Sequence, residues 1–184
     1  FHLNSKKISA NKLIPNFPTI LFSPESLSVI KGQPEERRRL LDELVLTLEP
    51  NRQKMFEDFF KALKTRNKIL FQISQSKDDK RELYGTFNAL NKIFILLATQ
   101  VSIDRIKTIK KVQGDFSKIA AKILGIENVD ISLEYYISGE SAIDKSEDQV
   151  FELLKKRLNE LHSAETAKGS SLVGPQKHDV KFLF

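Results

Sequence analysis

The chain has 184 residues, with 30 Lys and Arg against 24 Asp and Glu, for a net charge of +6. That length suits one domain with a real core, and 40% apolar against 29% charged residues reads as a globular chain rather than a disordered one. Zero Cys excludes a disulfide scaffold, thiolate metal sites and a Cys nucleophile. The longest unbroken apolar run, Ile93 to Ala98, is far short of a membrane span, and no signal peptide is visible. The chain opens on Phe1 and stops on Phe184 inside an apolar run, so it is expected to be a piece of a larger protein. The basic balance is compatible with nucleic acid and equally with simple solubility.

The first 30 residues differ from the rest. Phe1–Leu3 and Thr19–Phe22 are short strand-like stretches punctuated by Pro15, Pro18 and Pro24. Gly32 and Pro34 mark a turn. A helix follows, in which Leu40, Leu41, Leu44, Val45 and Leu48 recur at the spacing of one buried face. Glu35 and Glu36 sit where the helix dipole favours acids. Pro50 ends this helix or opens the next. The second helix runs from about 51 to 74, with Met55, Phe59, Leu63, Leu70 and Ile73 on one side and Phe56 and Phe60 beside them.

A long helical pattern then covers about 80 to 124, from Leu83 and Phe87 through Ile119 and Ile123. Such a length suggests an arm or coiled-coil-like packing, and Gly125 is placed to cap it. Val129, Ile131, Leu133, Tyr135 and Ile137 alternate with polar residues or Tyr136, the pattern of a half-buried strand. Gly139 to Lys145 reads as a loop. Ser146 and Gln149 form a capping-box signature for a helix over about 146–164. Ser171–Val173 and Val180–Phe184 read as two strand-like pieces around Gly174-Pro175. The fold class is therefore mainly α: a helical lobe with long antiparallel helices, bracketed by short strands.

Patterns that would carry chemistry are missing. There is no phosphate-cradling Gly-x-x-x-x-Gly-Lys-Ser/Thr run, no nucleophile elbow and no His-Glu-x-x-His pair. His2, His162 and His178 are scattered, and a lone His is usually an ordinary surface or hydrogen-bonded residue. Asp78-Asp79 and Glu147-Asp148 lie near helix starts, where capping explains them. No catalytic residue and no metal ligand is assigned.

Three segments resemble the RecF family, bacterial DNA replication and repair ATPases of the ABC/SMC type. The most specific is Phe22-Ser23-Pro24-Glu25-Ser26-Leu27, then Lys31-Gly32-Gln33-Pro34, then Arg37-Arg38-Arg39-Leu40-Leu41-Asp42. It is similar to a family run of Phe-Ser-Pro-Glu-Asp-Leu, Lys-Gly-Ser-Pro and Arg-Arg-Arg-Phe-Leu-Asp, departing at Ser26 and Gln33. The second is Arg66-Asn67-Lys68-Ile69-Leu70, similar to Arg-Asn-x-Leu-Leu. The third runs from Glu165 through Gly169 to Gly174-Pro175-Gln176-Lys177-His178-Asp179-Val180, similar to Gly-Pro-His-Arg-Asp-Asp-Leu. Only Gly174, Pro175 and Asp179 hold there.

The resemblance implies an ABC-type head with residues 1–34 as edge strands of the ATPase lobe, 35–164 as a helical lobe, and 165–184 as return strands. The nucleotide loops would lie outside these residues, so ATP and Mg would belong to the full-length protein. It implies ATP-dependent dimerisation, binding to gapped or junction DNA, RecO- and RecR-type partners, a cytoplasmic location and no membrane. A stand-alone helical protein–protein interaction module is the rival reading.

Two readings stand for each charged motif. At 100° per residue, Arg37, Arg38 and Arg39 spread around the helix, so at least one faces protein and can pair with Asp42 or another carboxylate; the other reading is contact with DNA. Lys61, Lys64 and Lys68, in line with Lys54, form one basic stripe, and Lys107 and Lys111, in line with Lys118 and Lys122, form another. Such stripes are either DNA-tracking surfaces or the solvated faces of amphipathic helices. Phe residues at helical spacing are expected in the core, and Gly174-Pro175 is expected to be a backbone device.

Overall fold

The structure, a computed structural model, describes residues 2–8, 28–77, 79–125 and 131–183. The expected strand at Thr19–Phe22, the motif residues Pro24 and Glu25, and the start of the strand at Val129 lie outside them.

Strands β1 (His2–Leu3) and β2 (Lys6–Lys7) form a minimal hairpin, turned by Asn4 and Ser5 at positive φ. A single helical turn, α1 (Ser28–Lys31), then precedes α2 (Pro34–Leu48). The sequence pattern did not foretell α1. Gly32 and Gln33 separate the two, and Pro34 occupies the first turn of α2, where its missing N–H costs nothing. Pro50 opens a 3₁₀ turn, Pro50–Arg52, that feeds directly into α3 (Gln53–Gln75).

The long helix, α4 (Arg81–Leu124), is 44 residues, and Gly125 closes it in the left-handed conformation at φ 64°. It is long and apolar enough to cross a membrane by length and composition, but 44% of its most apolar stretch is buried against protein. It is apolar because it is the central core helix. Every residue from Val101 to Ile106 is buried, so here the helix is enclosed rather than amphipathic.

Strand β3 (Ser132–Ile137) pairs antiparallel with β4 (Glu140–Ser141) on one side and β5 (Asp179–Leu183) on the other. The register sets Tyr135 opposite Val180 and Tyr136 opposite Asp179. β4 falls where a plain loop was expected.

Helix α5 (Glu147–Glu160) starts with the expected capping box: Gln149 N–H donates to Ser146 Oγ, and Ser146 N–H donates to Gln149 Oε1. The expected single helix is in fact two. Leu161, at φ −97° and ψ 3°, separates α5 from α6 (His162–Lys168).

The core gathers Val45, Phe56, Phe59, Phe94, Val101 and Val150 around α4, and a smaller cluster joins Ile69, Leu70, Ile73 and Phe87. Several positions expected inside are not. Phe60 is 48% exposed, Ile119 58% and Ile123 78%, and Leu40 and Leu48 are also at the surface. Periodicity marks an apolar face; only the packing shows whether a neighbour covers it.

Ser171–Val173 is not a strand. Its amides are taken by side chains: Ser171 N–H donates to Asn67 Oδ1 at 2.8 Å, and Leu172 N–H to Glu165 Oε1 at 2.7 Å. Amides spent in this way leave no ladder to build.

Candidate functional site

Two charge networks hold the C-terminal segment against the helices. The first centres on Arg66 of α3, fully buried, as is Glu165 of α6. Arg66 Nη1 and Nη2 donate to Glu165 Oε1 and Oε2 at 2.9 and 2.6 Å, and Nε donates to Asn91 Oδ1 at 2.8 Å. Ser171 Oγ also accepts from Nη1. The guanidinium carbon lies 4.9 Å from the ring centres of both Phe87 and Phe94. The cation is therefore paired at its edge and packed against both rings, which a buried charge requires. Gly169 makes the approach possible: a Cβ there would sit 2.7 Å from Ser74 Oγ and 3.3 Å from Phe71 Cα.

The second network joins α2, α4, β3 and the turn before β5. Asp42 accepts from Arg105 Nε and Nη2 at 2.7 and 2.9 Å. Arg105 Nη1 donates to Pro175 O at 2.8 Å and to Tyr135 Oη at 3.2 Å. Tyr135 Oη is also hydrogen-bonded to His178 Nδ1, 2.8 Å away. Burial, then Arg105 and Arg38, hold His178 well below its ordinary pKa, so the ring is neutral. Burial also pushes Tyr135 up.

At the rim of this network, Arg37 Nε and Nη2 grip Asp179 at 2.8 and 3.0 Å while Nη1 donates to Gly32 O at 3.0 Å. Arg38 Nη1 donates to His178 O at 2.9 Å. Gly174, at φ 123°, holds the turn; a Cβ there would lie 2.9 Å from Phe94 Cζ.

The structure thus brings together Gly32, Arg37, Arg38, Asp42, Pro175 and Asp179, all read from the sequence as motif residues. Of the carboxylates open to the three arginines, Arg37 takes Asp179, while Asp42 is held by the more deeply buried Arg105. Arg39 alone of the three arginines points outward, beside Glu36 and Glu43 at 3.4 and 3.7 Å. Lys31 is exposed. Sequence reasoning missed Arg105, Tyr135, Glu165 and Asn91 as network members and put His178 among the scattered histidines. A charged Asp104-Arg105 pair inside the apolar run of α4 was the available signal.

The basic stripes are apart from both networks. Lys61, Lys64 and Lys68 are exposed on one side of α3, and among the described residues no carboxylate pairs with them. Lys107 and Lys111 flank a cleft of about 230 Å³ whose wall includes Arg52, Glu49 and Asp104. Asp104 is buried there with Arg52 Nε 3.2 Å away; burial raises its pKa against the pull of Arg52 and Lys107. Next to the second network, Leu40, Leu44, Val112, Phe116, Ile119 and Phe182 line an apolar groove of about 430 Å³. Among the described residues no group of three or more His, Asp or Glu is arranged to hold a metal.

The described residues define a class by architecture: a lobe built on one long core helix, with a small antiparallel sheet closed by a returning strand and basic motif residues turned inward to hold that return. Comparison with known proteins makes the match specific. No family model matches the chain. It is similar over 98% of its length to the DNA replication and repair protein RecF of Clavibacter michiganensis subsp. michiganensis, at 25% identity. The RecF proteins of an Exiguobacterium species and of Streptomyces avermitilis are 28% and 30% identical over 97% and 88% of the chain. Two solved structures, of the recombination mediator protein RecF with ATPrS and with ATP in the RecFOR pathway, align over 98% of the chain with TM-scores of 0.81 and 0.83, at 25% and 24% identity. The chain spans about half the length of the curated relatives it matches. Its fold matches that of about half of each solved RecF structure.

Proposed function

We propose that this chain is the helical-lobe segment of a RecF-like, ATP-dependent DNA-binding protein that acts in recombinational repair and replication restart at gapped DNA. The observation that carries the reading is the coincidence of sequence and fold similarity over the same 98% of the chain. In this reading, residues 1–34 and 165–184 belong with the ATPase head and 35–164 form the helical lobe. The apolar groove beside Leu40 and Phe116 is lined by residues of both α1 and β5, so it is a natural seat for the remainder of the head.

ATP with Mg belongs to the full-length protein. No residue of this chain is assigned to hold the nucleotide: the sequence has no phosphate-cradling loop, and Arg37, Arg38 and Arg105 are committed to protein acceptors. The lobe supplies rigidity and surface. Arg39, Lys61, Lys64, Lys68, Lys107 and Lys111 are the DNA-facing candidates; all six are exposed, which leaves them open to phosphates in an ATP-dependent homodimer. RecO- and RecR-type proteins are the expected partners, and the location is cytoplasmic.

The test is fluorescence anisotropy of gapped duplex DNA titrated with the ATP-loaded full-length protein across salt concentrations. Binding is expected to weaken steeply with salt. Lys61→Glu with Lys64→Glu and Lys68→Glu is expected to flatten the slope of log affinity against log salt, by roughly one for each phosphate no longer neutralised. No binding at low salt would reject the reading. Salt-dependent binding that the triple variant leaves unchanged would move the DNA surface off α3.

A further inference from the structure

A second groove, between α4 and α5, lies away from the expected head junction and meets the Arg66 network only at Asn91. It encloses about 430 Å³. Its floor is apolar, built from Ile95 and Leu96 of α4 and Phe151 and Leu158 of α5. Leu96 is 57% exposed, and Ile93 on the same helix is 56% exposed. Single apolar residues at a surface carry no message, but four forming the floor of one cleft do.

The rim has one sign of charge. Lys92 and Lys155 line the groove, and among the described residues no carboxylate lines it. Lys155 Nζ lies 5.8 Å from the Phe151 ring centre, over the edge of the floor, with Glu152 3.2 Å away. Asn88, Asn159 and His162 complete the rim with neutral hydrogen-bonding groups. An apolar floor with a cationic rim complements a segment that is apolar on one side and acidic on its flanks. Nucleic acid would leave Leu96 and Phe151 without apolar contact.

Position separates this groove from the head. The residues of α1 and β5 line the other groove, near Val112 of α4. At 1.5 Å per residue, Lys92 is roughly 30 Å from Val112 along that helix. A polypeptide covering one groove leaves the other open.

We infer that the α4–α5 groove receives an acidic, amphipathic segment of a partner protein, with its apolar side chains on Leu96 and Phe151 and its carboxylates toward Lys92 and Lys155. This is helix-in-groove recognition, anchored by apolar residues at three- and four-residue steps.

The experiment selects phage-displayed random twelve-residue peptides on the full-length protein and measures the winners by anisotropy. Enriched peptides are expected to carry Asp or Glu around spaced Leu, Ile or Phe. They should bind at least tenfold more weakly to Leu96→Asp and to the double variant Lys92→Glu with Lys155→Glu, and unchanged to Lys61→Glu with Lys64→Glu. All of these positions are exposed, so the variants keep the core intact. Failure to enrich any peptide, enrichment of peptides without acidic residues, or equal binding to Leu96→Asp would overturn the inference. So would a dimer in sedimentation that Leu96→Asp dissolves, since the occupant would then be a second copy. Gapped-DNA binding by Leu96→Asp should stay at the wild-type level, which keeps this result separate from the test of DNA function.

Discussion

The two charge networks hold the same C-terminal segment and differ in depth. Arg66 and Glu165 are wholly out of solvent, with the rings of Phe87 and Phe94 against the guanidinium. Arg37 and Asp179 keep side-chain exposures of 14% and 27%. Depth decides what each can do. The inner pair is a fixed pin, because separating it would strand a charge with no access to water. The rim pair can exchange protein contacts for water at modest cost. It ties the turn after α1 to the start of β5, through Gly32 O and Asp179.

The inner network should give the largest effect. Arg66→Ala leaves Glu165 buried and unpaired, and is expected to cost about 3–5 kcal/mol in urea unfolding. The apolar double replacement Arg66→Met with Glu165→Leu should not recover this loss, because it strands the Leu172 and Val173 amides that Glu165 accepts. Full recovery would mean that the pin is dispensable.

At the rim, Arg37→Ala removes charge-assisted bonds to Asp179 and Gly32. The expected cost is about 1.5–3 kcal/mol by the same unfolding measurement. A loss equal to that of Arg66→Ala would erase the distinction between the networks.

Close behind the rim, His178 makes the C-terminal turn sensitive to pH. Its folded pKa is depressed while the unfolded value is near the ordinary 6.5. In the window below about 6.5 the unfolded chain binds a proton that the folded chain refuses. Stability is thus full above that pH and declines as pH falls, by at most about 1.4 kcal/mol per pH unit. Urea midpoints at pH 7.5 and 5.0 should separate further for the wild type than for His178→Gln. Equal separations would show that His178 is not held neutral.

The exposed stripes should matter least for folding. Lys61→Glu with Lys64→Glu and Lys68→Glu is expected to shift stability by no more than about 0.5 kcal/mol per site. A cooperative loss of several kcal/mol would place these lysines in the packing rather than on the surface.

Much of the local structure was legible. The capping box at Ser146 and Gln149, the Gly125 cap and the long α4 pattern follow from interactions among residues a few positions apart. So did the membership of Arg37, Arg38, Asp42, Pro175 and Asp179 in one motif set. The partners were not legible. Arg66 and Glu165 are 99 positions apart, and Arg37 and Asp179 are 142 apart. The sequence left Asp42 or another carboxylate open to the arginine run; the fold gives Asp42 to Arg105 and Asp179 to Arg37. Ser171–Val173 looked like a strand because β-propensity cannot register that Glu165 and Asn67 take its amides.

By itself the sequence determined a mainly helical lobe, its caps, its core stripes and its resemblance to RecF, because these rest on short-range periodicity, capping chemistry and motif order. Only the tertiary structure decided which charges are spent inside and which face out, that Ile119 and Ile123 are exposed, and that Leu96 and Phe151 floor a groove with a cationic rim. Burial and pairing are properties of what packs against a residue, and for these residues the packing neighbour comes from a distant part of the chain.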